Sequence, residues 1–137
     1  MKKLIMSLVF LSLAVMLMSS TSQKAENVVK VYYFHGEFRC VTCTKMEAMI
    51  VETVNKSFAN ELKSNKVKFE VVNFDEKANE HFVEDYDLFN QTLVISLTKN
   101  GKETKWKAAD KIWELNRNEK DFNNYVRKEI HAYLKEL

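Results

Sequence analysis

Cys40 and Cys43 are the only thiols in a chain of 137 residues, and Val41 and Thr42 alone separate them. A thiolate attacks disulfide sulfur and binds soft metal ions, whereas a free thiol, with a pKa near ~8.5, is mostly protonated at neutral pH. The pair therefore admits three kinds of chemistry. It can cycle as a dithiol–disulfide couple. It can hold Cu(I) or Zn(II), with His35 as a third donor, although a closed zinc site takes four ligands. Or it can be a structural clip, although so small a loop adds little stability, in a redox-inert domain that binds a partner. His81 and His131 fall in helical segments without ligand-like spacing.

The elements around the pair follow from periodicity. Val28 to Phe34 reads Val-Val-Lys-Val-Tyr-Tyr-Phe, an apolar run suited to a strand buried on both faces. Beyond the cysteines, Met46, Met49, Ile50, Thr53, Val54, Phe58 and Leu62 recur at helical spacing and predict one helix over residues 42–64. Met46 and Met49 belong to that stripe as core residues rather than as metal ligands. Val67, Phe69, Val71 and Phe74 outline a strand over 66–75. Ala78, Phe82, Val83 and Tyr86 suggest a short helix. Thr92 to Leu97 is a third strand, and Lys99-Asn100-Gly101-Lys102 is a hairpin turn into a fourth over 103–107. Trp106 and Trp113 bracket the link that follows, placed to cover a sheet edge. A last helix starts at Asn118 as its cap, with Phe122, Tyr125, Val126, Ile130, Tyr133 and Leu134 on one face. Neither repeats nor low-complexity segments interrupt this order.

The first 22 residues are set apart from it. Lys2 and Lys3 precede an apolar run from Leu4 to Met18, and a small polar stretch, Ser19 to Ser22, ends it. That is the layout of a secretory signal peptide, and the run is short for a membrane span of ~20 residues. Residues 23–137 are then one domain in an extracytoplasmic space, periplasmic or extracellular; membrane contact follows only if the leader stays uncleaved. The leader holds two of the 21 basic residues and none of the 19 acidic ones, so the remainder is charge-balanced. Its charges alternate in sign, which argues against nucleic acid as a partner. Proline is absent and there are only two glycines.

This order of elements, with Cys-x-x-Cys at the first strand-to-helix junction, resembles the thioredoxin-like family. Phe34 to Cys43 stands where that family has its strand end and active-site loop. Asn73-Phe74-Asp75 is similar to the end of its next strand, and the stretch from Tyr86 through Lys102 to the approach to its terminal hairpin. The resemblance covers residues 28–137 and lacks the extra N-terminal strand and helix of full thioredoxins. It implies an α/β fold of order βαβαββα, a three-layer sandwich with a four-stranded mixed sheet and helices on both faces. It also implies thiol–disulfide exchange without a bound cofactor: Cys40 attacks a substrate disulfide and Cys43 resolves the mixed disulfide. The helix start favours the Cys40 thiolate through its unpaired N–H groups and dipole. Arg39 and His35 are placed to favour it further, and Glu37 to relay protons. The implied partners are protein thiols or disulfides and a membrane electron donor or acceptor, met by a monomer.

Four departures stand out. Arg39 replaces the family's Trp before the first cysteine, and Val41-Thr42 replaces Gly-Pro. Tyr33 or Phe34 occupies the place of the buried acid. Gln91-Thr92 stands where the family has a cis-proline facing the thiols. A non-proline cis bond costs roughly 3 kcal/mol, so the peptide before Thr92 is expected to be trans, with Gln91 or Thr92 offering an amide or hydroxyl to the sulfurs.

Overall fold

The computed structural model describes residues 26–137; the leader predicted over residues 1–22 lies outside them. Four strands form one sheet: β1 (Val28–His35), β2 (Val67–Asn73), β3 (Thr92–Lys99) and β4 (Lys102–Ala108), in the spatial order β2-β1-β3-β4. β1 runs parallel to β2 and antiparallel to β3, and β3 pairs antiparallel with β4. A parallel pair needs a crossover, which α1 (Val41–Ser57) and α2 (Ala59–Lys63) supply. After β2 come α3 (His81–Asp85), the hairpin, α4 (Ile112–Leu115) and α5 (Glu119–Leu134). The fold is thioredoxin-like.

Strand alternation builds two cores. Val29, Val31 and Tyr33 of β1 face one side with Leu93, Ile95 and Leu97 of β3, where Met46, Ile50 and Val54 of α1 meet Phe122, Val126 and Ile130 of α5. Tyr32 and Phe34 face the other side with Val94, covered by Phe82, Tyr86 and Leu88. The central strands are therefore buried on both faces, as their continuous apolar runs require.

Three local differences from the sequence expectation have simple causes. The predicted helix over 42–64 breaks at Phe58, whose backbone leaves the helical region (φ −125°, ψ 26°) while its ring is fully buried. Two helices thus share one apolar periodicity. The second strand stops at Asn73, because Asp75 turns to accept from the backbone of Glu37. Short α4 adds an element between the last strand and the last helix. The hairpin turn is as expected: Asn100 and Gly101 both take positive φ, 53° and 77°, the pairing of a type I′ turn. Asn118 caps α5, its side chain accepting from the Asp121 N–H at 3.2 Å.

Candidate active site: a disulfide at a helix start

Cys40 is the N-cap of α1, extended at φ −78° and ψ 159°, and is disulfide-bonded to Cys43 with their Cα atoms 5.0 Å apart. The cap geometry aims helix donors at sulfur: the Cys43 backbone N–H donates to Cys40 Sγ at 3.0 Å. The first turn of α1 contains no acidic residue, so nothing offsets the positive end of the helix dipole there. Cys40 is half-buried next to exposed Val41, whereas Cys43 is 2% exposed. One sulfur is presented and the other is kept.

β1 fixes the inner cysteine from below. Tyr33 points into the α1 face and its hydroxyl donates to the Cys43 carbonyl at 3.0 Å. Burial, and then the Glu47 charge, push the Tyr33 phenol up to about 12, so at neutral pH it remains a donor. Of the two residues standing in place of the family's buried acid, Tyr33 is thus the one beside the pair. Phe34 faces the opposite core.

The loop from β1 to α1 is held at both ends. The Glu37 backbone N–H donates to Asp75 Oδ2 at 2.7 Å, and a Cβ at Gly36 would lie 2.7 Å from that same oxygen, so a larger residue there would displace the carboxylate from this bond. At the other end, Gln91 Nε2 donates to the Phe38 carbonyl at 3.3 Å, two residues before Cys40. The Gln91 carbonyl accepts in turn from the Trp113 indole N–H at 2.9 Å. A chain of two hydrogen bonds therefore runs from α4 through the start of β3 to the cysteine loop.

The remaining sequence candidates fall differently. Arg39 is paired with Glu47 on α1 instead of standing free beside Cys40, so its charge is largely answered. His35 ends β1 with Nδ1 2.9 Å from the Gly36 carbonyl; a ring nitrogen facing a carbonyl carries the proton and donates. Glu37 is exposed, and it is its backbone that is engaged. Thr92 is a correction. It pairs with Phe34 across the sheet and shares its face, and its hydroxyl donates to the Asn90 carbonyl at 2.9 Å rather than meeting the sulfurs. The described residues contain no cis peptide bond, so the Gln91–Thr92 bond is trans. Among them, too, no group of three or more His, Cys, Asp or Glu comes together as a metal site.

Asp75, Glu47 and Trp113 contribute to the site although sequence reasoning gave none of them a role in it: Asp75 was read as a strand end and Trp113 as cover for a sheet edge.

No family model and no curated protein matches this sequence. Among solved structures, the chain is similar to a thioredoxin from Trypanosoma brucei brucei at 20% identity, over 79% of this chain and 80% of that one, with a TM-score of 0.45. It is similar to the germline-specific thioredoxin Deadhead of Drosophila melanogaster at 16% identity, over 76% and 83%, with a TM-score of 0.46. Thioredoxin O2 of Arabidopsis thaliana, solved in its oxidised state, matches at 14% identity, over 70% and 76%, with a TM-score of 0.42.

Proposed function

We propose that this domain carries out thiol–disulfide exchange outside the cytoplasm, with Cys40 as nucleophile and Cys43 as resolving thiol. The observation that carries the reading is the asymmetric disulfide at a helix start, with Cys40 at the cap and Cys43 buried behind it. In the reducing direction, the Cys40 thiolate attacks one sulfur of a substrate disulfide and the other sulfur leaves as a thiolate. The Cys43 thiolate then attacks Cys40 Sγ, closes the Cys40–Cys43 disulfide and expels the second substrate thiolate. Two electrons pass to the substrate, and solvent protonates both leaving thiolates. The reverse sequence oxidises a dithiol, and the poise of the partner sets the direction. The charged-then-apolar leader supports export, into a space where such a pair meets protein thiols and disulfides.

The test is a redox titration of the full chain followed by trapping with Cys43→Ser. The expected result is one two-electron transition and a mixed disulfide on Cys40 alone, with Cys40 alkylating faster than Cys43 near neutral pH. Equal alkylation of both thiols, with no trapped substrate, refutes the reading.

A further inference from the structure

Behind the Gln91–Thr92 turn, on the face away from α1, lies a cleft of about 370 Å³. Tyr86 and Trp106 form its inner aromatic wall, packed edge to face at 5.3 Å. Phe89, 93% exposed, stands at the rim with Asp87 and Asp110. No lysine or arginine lines it. Among the described residues, neither aspartate is in an ion pair. The nearest lysines of β4 are drawn off: Lys107 pairs with Glu129 of α5, and Lys105 with Glu136 just beyond that helix, across the sheet. Strand alternation thus sorts the charges of β4, leaving this side aromatic and acidic.

We infer that this cleft receives a cationic side chain, arginine or lysine, carried by the polypeptide whose disulfide or thiols meet Cys40. Three observations converge on that occupant. Aromatic faces attract a guanidinium or ammonium group, and two unpaired carboxylates at the rim complement its charge. At about 370 Å³ the cleft lies at the small end of the roughly 300–1,000 Å³ range of binding pockets, room enough for one long cationic side chain. The position ties the cleft to the cysteines: Thr92 lines it, while the adjacent Gln91 bonds the Phe38 carbonyl of the cysteine loop. A peptide crossing that turn reaches both places. An acidic or neutral segment would leave the rim carboxylates unanswered, and that is the basis of selection. The kinetic consequence rests on the exchange reading above; the binding itself does not.

The probes are capped peptides Gly-X-Gly-Cys-Gly-X-Gly, each supplied as a mixed disulfide with 2-mercaptoethanol, in which X is Arg, Gln or Glu. The reduced full chain should react with the Arg peptide roughly five- to tenfold faster than with the Gln peptide, and slowest with the Glu peptide. D87N/D110N should abolish the difference. Asp87 sits at φ 49°, where asparagine is well tolerated, so this variant keeps its backbone. E76Q/E84Q, which removes two charges outside the cleft, should retain the difference. Binding is read separately with the Ser-for-Cys Arg peptide, which should shift the Trp106 indole N–H resonance saturably while the Gln version does not. Equal rates for Arg and Gln peptides, a preference that survives D87N/D110N, or a stationary Trp106 resonance each overturns the inference. If no peptide reacts but the Trp106 resonance responds, the exchange reading fails and the cation cleft stands.

Discussion

The hydroxyl of Tyr33 donates to the carbonyl of Cys43, so the central strand is bonded to the turn of helix that carries the buried cysteine. That carbonyl lies in the first turn of α1, so the bond ties the backbone of Cys43 to β1. Tyr33→Phe should lower stability by about 1 kcal/mol, the usual net value of one buried hydrogen bond. It should also speed alkylation of Cys43 in the reduced protein, because the turn is freed. Denaturant melts together with thiol-labelling rates check both; a variant equal to the parent in both would show that the bond restrains nothing.

The same phenol makes stability sensitive to alkaline pH. Tyr32 and Tyr33 are each pushed from 10.0 up to about 12, foremost by burial, and Tyr86 is raised as well. The unfolded chain then gives up these protons at lower pH than the folded one. Their contribution is intact below pH 10 and falls as pH rises toward 12, by on the order of 1 kcal/mol per pH unit for each phenol. Melts between pH 7 and 11 should be flat to about 10 and then decline. A decline beginning near pH 8 would count against buried, protonated tyrosines.

Arg39 and Glu47 should act on Cys40 as a pair. With both present the two charges largely offset each other at Cys40, so removing Arg39 alone leaves the Glu47 carboxylate unanswered and should slow labelling of Cys40 modestly. Glu47→Gln frees that charge beside the helix start, and iodoacetamide labelling of Cys40 near pH 7 should then rise a few-fold. Arg39→Ala in the Glu47→Gln background should reverse the gain. Rates unmoved by Glu47→Gln would mean that the guanidinium does not reach the sulfur.

What the sequence made legible was whatever depends on local period. The runs at Val28 to Phe34 and Thr92 to Leu97, the Asn-Gly turn and the Asn118 cap each carry their structure in a few adjacent residues, and each stands as read. The break at Phe58 left no such mark, since the apolar spacing passes through it undisturbed and no glycine or proline announces it. Site contacts were hidden for a different reason: Gln91 reaches Phe38 across 53 positions and Trp113 reaches Gln91 across 22. Thr92 shows the cost of reasoning by position alone. Its place next to the cysteine loop could be foreseen, but the face it takes is set by its register with Phe34, which no single strand reveals.

The pair Gln91 and Trp113 supplies the last expectation, because it does by hydrogen bonding what a rigid residue before β3 would do by shape. Trp113 fixes the Gln91 carbonyl, and Gln91 in turn fixes the loop ahead of Cys40. Gln91→Ala removes only the second bond, while Trp113→Phe keeps most of the aromatic bulk and removes only the first. Each should loosen the cysteine loop, so hydrogen exchange of amides over residues 37–40 should quicken severalfold in both variants. The double variant should exceed neither single by much, because the two bonds act in series and cutting either releases the loop. Exchange with a small disulfide should slow in the same order as the amides quicken. Additive effects in the double variant would instead mean that the two bonds hold separate things, and that α4 has no hold on the cysteine loop.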